Sequence, residues 1–313
     1  MSDSLAFVFP GQGSQSLGML SGFADLYPVI RETFAEASEG AGVDLWALSQ
    51  QGPEAQLNRT EYTQPALLAA SIALWRVWLA CGGERPARLA GHSLGEYSAL
   101  VAAGALSLGQ GAHLVRLRGQ LMQGATPDGS GAMAAVIGAE EELVREVCEA
   151  AAQSQVVVPA NFNSPGQIVI GGHVEAVDRA LALLAERGVR KTVKLAVSVP
   201  SHTPLMRDEA NRLMEAMRGL SWQTPNIPVV QNVDARVHDG IGSILDALVR
   251  QLYQPVQWTA CVQALAAAGT TRIAECGPGK VLTGLARRID KQIEVRALGE
   301  PADFDAALEA WVQ

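Results

Sequence analysis

The pentapeptide Gly91-His-Ser-Leu-Gly95 lies between a short, mostly apolar stretch, residues 87–90, and an alanine-rich helical pattern, residues 96–105. A Gly-x-Ser-x-Gly motif between a strand and a helix is typical of a nucleophile elbow, a sharp turn that exposes the serine hydroxyl at the helix N-terminus. Backbone N–H groups and the helix dipole favour negative charge there. The pentapeptide also occurs in ordinary glycine-rich turns, so the flanking strand and helix carry the prediction. We therefore expect a buried strand that runs directly into a helix, with Ser93 as the nucleophile.

Predicted strands and helices alternate through most of the chain. Residues 5–9 form an apolar run typical of a buried strand, and residues 64–81 and 107–123 have helical patterns. A strand around residues 227–231 and another at 272–275 continue this alternation. Such a pattern predicts an α/β fold built on a largely parallel sheet.

The middle of the chain has a different order, which begins after the breaker-rich segment 126–131. Strand, helix, strand, strand, helix and strand follow one another there, and this order is typical of a ferredoxin-like α+β unit. The six segments are 133–137, 140–152, 156–159, 167–171, 174–187 and 190–197, with a loop containing Asn161 and Asn163 after the second strand. We therefore predict a large α/β catalytic subdomain from residues 1–126 and 199–313, interrupted by a small subdomain at 127–198.

Composition narrows the class of protein. With 48% hydrophobic and 18% charged residues, the 313-residue chain is expected to be a soluble globular enzyme. The net charge of −8 argues against nucleic-acid binding, which needs clustered cations. No secretory leader is expected, and the longest apolar segment, residues 66–80, contains Arg76 and is too short to span a membrane. The cysteines have no metal-binding or redox spacing and are expected to be core residues in a reducing cytoplasm: Cys81, Cys148, Cys261 and Cys276.

A serine nucleophile needs a base to accept its proton. His202 lies in a proline-bracketed loop, residues 199–204, at the end of a predicted strand, where catalytic residues of α/β proteins collect. The same loop could be a structural corner instead. His92, next to the nucleophile, is expected to form a pocket wall. The other histidines are expected to be surface or core residues: His113, His173 and His238.

The third member of a hydrolase triad is missing from its usual place. Most acidic residues between Ser93 and His202 fall in the predicted small subdomain, a poor location for an orienting carboxylate. A backbone carbonyl can hold the imidazole N–H equally well. Two glycine-rich loops, 10–15 and 276–280, lack the spacing of nucleotide-binding motifs. Either they are plain turns, or the first one brings a backbone N–H to the oxyanion beside that of Leu94.

Several motifs in chain order together resemble the malonyl-CoA:acyl carrier protein transacylase family of type II fatty acid synthesis. The similarity extends to the acyltransferase domains of polyketide synthases. The motifs are Phe9-Pro-Gly-Gln-Gly-Ser-Gln15, Gly91-His-Ser-Leu-Gly-Glu96, Arg118-Gly-Gln-Leu-Met122, Asn161-Phe-Asn163, Ser201-His202, Gln251 before Pro255-Val-Gln-Trp258, and Gly277-Pro-Gly279. The resemblance implies a hydrolase-like parallel-sheet core with an inserted ferredoxin-like subdomain, in agreement with the segmentation above.

The resemblance also implies a role for each matching position. Ser93 would be the nucleophile, His202 the base, and Gln251 would orient the imidazole through its backbone carbonyl. Periodicity alone does not favour Arg118 over Arg116, but the resemblance assigns the malonyl carboxylate to Arg118. The remaining implied positions are Gln12 and Leu94 as oxyanion N–H donors, and His92 and Asn163 as pocket lining.

The implied reaction is transfer of malonyl from malonyl-CoA, through a serine acyl-enzyme, to the phosphopantetheine thiol of acyl carrier protein. No metal, no organic cofactor, no membrane and no nucleic acid are expected, and the chain is expected to be a cytoplasmic monomer. The alternatives are a serine esterase or thioesterase, a malonyltransferase of another pathway, and a non-catalytic docking subunit. Acidic carrier proteins would need a local basic patch, for which the candidates are Arg190, Lys191, Lys194, Lys280, Arg287 and Arg288.

Overall fold

Two β-sheets organise the described part of the chain, which in this computed structural model comprises residues 2–127, 129–197 and 199–311. The strands are β1 (Ser2–Phe9), β2 (Pro86–Gly91), β3 (Gly131–Ile137), β4 (Val157–Ser164), β5 (Gln167–His173), β6 (Lys191–Lys194), β7 (Val229–Gln231), β8 (Arg236–Val237), β9 (Arg272–Glu275) and β10 (Glu294–Ala297). Residues 128 and 198, in the predicted linker and at the predicted end of the small subdomain, lie outside the described residues. The domain boundaries therefore stay predictions.

Fourteen α-helices occur in the described residues, with one short 3₁₀ helix at Pro204–Met206. The helices before β3 are α1 (Ser21–Ala24), α2 (Val29–Ala41), α3 (Leu45–Gln51), α4 (Glu54–Leu57), α5 (Thr60–Ala80), α6 (Gly95–Ala102) and α7 (Leu108–Gly124). The later helices are α8 (Glu141–Ala152), α9 (Val174–Glu186), α10 (Arg207–Arg218), α11 (Ile241–Tyr253), α12 (Trp258–Ala267), α13 (Val281–Ile289) and α14 (Pro301–Trp311). None of the described helices is both long and apolar enough to cross a bilayer.

The larger sheet has the strand order β10-β9-β1-β2-β7-β8. Its first five strands are parallel, and only β8 at the edge is antiparallel. Alternate side chains of β1 enter two different apolar cores, with Phe7 on one face and Val8 on the other. A strand that is buried on both faces is typical of a parallel sheet covered by helices on both sides. The predicted parallel α/β core is confirmed.

The smaller sheet is antiparallel and has the strand order β4-β5-β3-β6. Helices α8 and α9 cover it with a core that includes Val144, Cys148 and Val177. Along the chain the elements run strand, helix, strand, strand, helix, strand, as the ferredoxin-like arrangement requires. The predicted fold class, a parallel core with a separate ferredoxin-like unit, agrees with this architecture.

The loop predicted around Asn161 and Asn163 was wrong. The segment with Asn161 and Asn163, predicted to be a loop, belongs to β4, which continues to Ser164 with register shifts on either side of Asn161. Asparagine and proline are disfavoured in strands, but pairing with a neighbouring strand overrides such a preference. Here Phe162 N–H also donates to the carbonyl of Val256, so β4 contacts the segment before α12. This contact brings the small sheet beside the large one.

Candidate active site

The turn after β2 has the geometry of a nucleophile elbow. Ser93 adopts a left-handed backbone conformation with φ of 52°, although it is not glycine. A Cβ atom at Gly91 would collide with the backbone of Gly95, and one at Gly95 would collide with the carbonyl of Phe9. Both glycines are therefore required for the strand to pass so closely under the helix that follows.

Two side chains from elsewhere in the chain hold the elbow in place. Asn232 follows β7, the neighbour of β2, so that parallel strands bring it beside Ser93. Its Oδ1 accepts a hydrogen bond from Ser93 N–H at 2.7 Å, and its Nδ2 donates to the carbonyl of Gly91 at 2.7 Å. Gln251 of α11 donates from Nε2 to the carbonyl of Ser93 at 2.9 Å. The strained turn is thus fixed by three hydrogen bonds that do not involve the Ser93 hydroxyl.

The Ser93 hydroxyl lies against a buried imidazole. His202 Nε2 is 2.8 Å from Ser93 Oγ, and His202 Nδ1 is 2.6 Å from the backbone carbonyl of Gln251. Because a carbonyl only accepts, Nδ1 carries the hydrogen and Nε2 is left to accept the serine proton. Burial, together with the charge of Arg118, lowers the pKa of His202 to about 3. The imidazole is therefore neutral near pH 7, as a general base must be.

Arg118 places a buried cation next to the same hydroxyl. Its side chain is 1% exposed, its Nη2 donates to Ser93 Oγ at 3.3 Å, and its guanidinium lies 5.3 Å from the centre of the Tyr97 ring. Burial lowers the pKa of this arginine, although arginine remains charged at neutral pH. Arg116 points elsewhere, since it donates to the carbonyl of Ala41. Of the two arginines that periodicity leaves equivalent, only Arg118 reaches the site.

Neutral amides hold the guanidinium of Arg118. Gln64 Oε1 of α5 accepts from Nη1 at 2.8 Å, and Gln251 Oε1 accepts from Nη2 at 3.0 Å. Helices α5 and α7 approach closely here, because a Cβ at Gly119 would lie 2.6 Å from the Cα of Glu61. This close packing lets Gln64 reach across to Arg118.

A buried carboxyl group lies on the far side of Gln251. Glu96 accepts from Gln231 Nε2 at 2.9 Å, from Asn232 N–H at 2.8 Å and from Gln251 Nε2 at 3.2 Å. Burial raises the pKa of Glu96 to about 7, and these three donors oppose the shift. The carboxyl thus connects the residues that hold the elbow to the residue that orients His202.

A cavity of about 130 Å³ opens onto the Ser93 hydroxyl. Gln12 and Leu94 line it, and within the described ranges neither backbone N–H donates to a protein acceptor. Such unpaired N–H groups can stabilise an oxyanion. The other lining residues are Thr60, Gln64, His92, Ser93, Arg118, Met122, Met133, Asn161, Leu195, Val197, Val199, Ser201 and His202.

Of the two predicted pocket residues, His92 and Asn163, only the first lines the cavity within the described residues. His92 lies on the cavity wall, and its Nε2 is 2.8 Å from Asn163 Oδ1. Asn163 contacts this lining residue but is not itself among the described residues that line the cavity, whereas Asn161 is. Residues two apart on a regular strand share a face, but the register of β4 shifts between Phe162 and Ser164, so Asn161 and Asn163 are not equivalent positions.

Sequence reasoning assigned no role to Gln64, Glu96 or Asn232. Each is buried and polar, and a buried polar side chain is expected to have a partner. Burial itself, however, depends on contacts between segments far apart in the chain. The one available signal was the position of Glu96 in the first turn of the helix that Ser93 precedes.

Known proteins resemble this chain in sequence and in fold. Residues 6–302 match a family model described as an acyl transferase domain. The malonyl CoA-acyl carrier protein transacylase of Salmonella typhimurium is 54% identical over 303 residues, which cover 97% of this chain and 98% of that protein. That of Bacillus subtilis is 39% identical over 306 residues, covering 97% and 96%.

Solved structures agree with these sequence relatives. A malonyl-CoA:acyl carrier protein transacylase from Xanthomonas oryzae pv. oryzae superimposes with a TM-score of 0.99 at 75% identity, with full coverage of both chains. A malonyl-transacylase solved in complex with its type II polyketide synthase acyl carrier protein superimposes with a TM-score of 0.97 at 51% identity, covering 98% of this chain and 99% of that one.

Proposed function

Because this chain belongs to the acyl transferase family, we propose that it transfers a malonyl group from malonyl-CoA to the phosphopantetheine thiol of acyl carrier protein, supplying fatty acid synthesis. One observation carries the proposal most strongly. The buried guanidinium of Arg118 lies 3.3 Å from the Ser93 hydroxyl, and both groups line the same cavity. A thioester held at Ser93 would therefore place a carboxylate at the end of a short acyl group against a cation. Malonyl has such a carboxylate, and acetyl does not.

In the first half-reaction, His202 Nε2 accepts the Ser93 proton while Ser93 Oγ attacks the malonyl thioester carbonyl. The N–H groups of Gln12 and Leu94 bind the oxyanion of the tetrahedral intermediate. The carbon–sulfur bond then breaks, and coenzyme A leaves with the proton returned by His202. The product is a malonyl ester of Ser93.

In the second half-reaction, the phosphopantetheine thiol takes the place of coenzyme A. His202 Nε2 accepts the thiol proton, and the sulfur attacks the ester carbonyl of malonyl-Ser93. Collapse of the intermediate breaks the bond to Ser93 Oγ, which regains its proton from His202. The same base thus serves both directions, and one acyl group visits the enzyme between two thiols, which predicts ping-pong kinetics.

Two contacts distinguish this proposal from a serine esterase on the same elbow. An esterase would pair His202 with a carboxylate and would have no buried cation beside Ser93. Here His202 Nδ1 meets the carbonyl of Gln251, and Arg118 lies next to the nucleophile. We further propose that the enzyme acts as a cytoplasmic monomer without a metal or organic cofactor. The described residues contain no cluster of three or more side chains suited to a metal ion.

Intact-mass spectrometry tests the reaction directly. The enzyme mixed with malonyl-CoA is expected to gain the mass of one malonyl group and to lose it when acyl carrier protein is added. Ser93→Ala should abolish the adduct. The matched control is Ser98→Ala, which removes a buried hydroxyl without a partner in the described structure and should label fully. A malonyl adduct on the Ser93→Ala protein would mean that another residue is the nucleophile.

A further inference from the structure

The guanidinium of Arg118 is buried without a carboxylate partner. Its terminal nitrogens donate to the uncharged oxygens of Gln64, Gln251 and Ser93, and its guanidinium also lies 5.3 Å from the centre of the Tyr97 ring. The ion pairs elsewhere in the chain involve side chains that are at least partly exposed, such as Arg250 with Asp246. A fully buried cation is costly unless it is paired and hydrogen-bonded. Both terminal nitrogens of this arginine are therefore hydrogen-bonded, but among the described residues its Nε has no partner and no carboxylate contacts the guanidinium.

A carboxyl group is close enough to provide that charge, but an amide separates the two. Gln251 Nε2 donates to Glu96 at 3.2 Å, while Gln251 Oε1 accepts from Arg118 at 3.0 Å. The amide thus satisfies both charged groups and keeps them apart. On the other edge of the guanidinium, Gln64 Oε1 accepts from Arg118, while among the described residues Gln64 Nε2 contacts the sulfur of Met122 at 3.5 Å and no carboxylate.

We propose that Gln64 is a specificity-determining residue, because its neutral carbonyl positions Arg118 without neutralising it and so leaves the carboxylate of the substrate as the first carboxylate to contact the guanidinium directly. This inference rests on the proposed function. A glutamate at position 64 would form an internal ion pair of zero net charge. The incoming malonyl carboxylate would then gain less from Arg118, while acetyl would no longer leave a buried cation unpaired.

The geometry at Gln64 suits this substitution as a test. Gln64 is 1% exposed and lines the cavity, so a carboxylate there is shielded from water as Arg118 is. Glutamate has the same length as glutamine, and its oxygen would replace Oε1 at the 2.8 Å contact. Among the described residues, the amide N–H group that is lost had only the weak sulfur acceptor of Met122.

The experiment compares kcat/KM for malonyl-CoA and acetyl-CoA in the wild type, in Gln64→Glu and in Gln110→Glu. Gln110 lies in the same helix as Arg118, about 12 Å earlier along its axis, and controls for the added negative charge. Gln64→Glu is expected to lower the malonyl-to-acetyl ratio by about tenfold or more, through loss for malonyl and no loss for acetyl. Gln110→Glu should keep the wild-type ratio.

Two further readouts make each outcome decisive. Gln64→Glu should unfold at the wild-type temperature or above it, because Arg118 gains a counter-ion. A Gln64→Glu protein that fails to fold, or that keeps the wild-type ratio, would overturn the inference. Gln64→Met, which removes the acceptor without adding charge, should keep the preference for malonyl even if both rates fall. If the wild type itself forms no malonyl-enzyme, the proposed function fails instead, and the two failures are thereby distinguished.

Discussion

Arg116 and Arg118 lie two positions apart on α7 but have different surroundings. Arg118 is buried beside Ser93, whereas Arg116 donates to Ala41 and lies 5.6 Å from the centre of the Tyr62 ring. Removing one member of a buried ion pair costs about 3–5 kcal/mol. We therefore expect Arg118→Ala to lower kcat/KM for malonyl-CoA by about 100-fold or more, and to leave acetyl transfer equal or improved.

Arg116→Ala is the matched control for that experiment. It should leave the malonyl-to-acetyl ratio unchanged and reduce stability by about 1 kcal/mol, through the lost hydrogen bond to Ala41. The measurement is kcat/KM with both thioesters for both variants. An equal fractional loss for malonyl and acetyl in Arg118→Ala would indicate that this arginine supports the fold and does not select the substrate.

The buried carboxyl of Glu96 predicts a pH dependence. Above its pKa of about 7 the carboxylate accepts three N–H donors, which link it to Asn232 and Gln251 and so to the elbow. Protonation places a hydrogen on one carboxyl oxygen of Glu96, so that one of the three N–H donors loses its acceptor. Acylation is therefore expected to slow as the pH falls from about 8 to 6. His202, whose pKa is about 3, stays neutral throughout this range and contributes no limb.

Glu96→Gln separates this effect from other titrations. The amide imitates the protonated carboxyl, so the variant should acylate slowly with a flat profile between about pH 6 and 8. Stability should show the opposite trend. Since the folded pKa is raised above its ordinary value, the stabilising contribution of Glu96 is lost as the pH rises through about 7, and the variant should lack that loss. If acylation by Glu96→Gln still slowed between about pH 8 and 6 as in the wild type, Glu96 would not be the group that causes the pH dependence.

At the residue scale, the sequence predicts those site residues whose signal lies in their own neighbouring residues. Ser93 and His202 lie in turns with glycine or proline, whose chemistry is local and therefore visible. Gln64 and Asn232 lie in unremarkable sequence and gain their positions from helix packing and from the parallel neighbour of β2. Only the folded chain brings such partners together.

At the element scale, the elbow depends on the absence of a side chain at Gly95. A Cβ atom there would collide with the backbone of Phe9, which cannot move without disturbing β1 in the centre of the sheet. Gly95→Ala is therefore expected to destabilise the protein by about 3 kcal/mol or more. The measurement is thermal or denaturant unfolding, with acyl-enzyme formation as a second readout.

Gly284→Ala is the control for the Gly95 variant. Gly284 lies in α13, and a Cβ atom there meets no neighbour within 4 Å. Alanine at an unobstructed helical position should stabilise the protein by about 0.5–1 kcal/mol. Similar unfolding of both variants would show that the close approach of β1 and α6 is not what requires glycine at position 95.

Helices and strands with a clear periodic pattern of apolar residues could be predicted from the sequence. Strand ends that depend on pairing with a distant segment could not. The strand before the elbow and the alternation of the small subdomain agree with the structure. The predicted strand at 190–197 ends at Lys194, because its antiparallel pairing with β3 covers only Lys191–Lys194. Edge strands receive pairing from one side only, so their length depends on the neighbour more than on their own residues.

At the scale of the whole molecule, the two sheets meet at the cavity. Ser93 follows the carboxyl end of β2 in the large sheet, and Leu195 and Val197, just beyond β6 of the small sheet, line the same space. A carrier protein that delivers its thiol to Ser93 must therefore approach both units. The arrangement favours docking near the edge strand β6.

The basic residues predicted for docking fall into two groups with different surroundings. Lys280 pairs with Asp303, Arg287 donates to Val295, and Arg288 donates to Gln167. Arg190 and Lys191 are exposed and form no ion pair within the described ranges, and Lys194 pairs with Asp178. Because β6 leads directly into residues of the cavity wall, Arg190, Lys191 and Lys194 are the better candidates.

Charge reversal at β6 tests this assignment. Lys191→Glu is expected to raise KM for acyl carrier protein several-fold, with no change in acylation by malonyl-CoA, because an acidic partner would meet a like charge only in the second half-reaction. Lys291→Glu makes the same charge change just before β10. Lys291 therefore lies at the amino ends of the parallel strands, whereas Ser93 lies at their carboxyl ends, so this variant should change neither step. Added salt should raise the same KM in the wild type and have less effect in Lys191→Glu, since screening weakens only attractions that are present. A carrier KM that is insensitive both to salt and to Lys191→Glu would show that the carrier docks without help from the charges of β6.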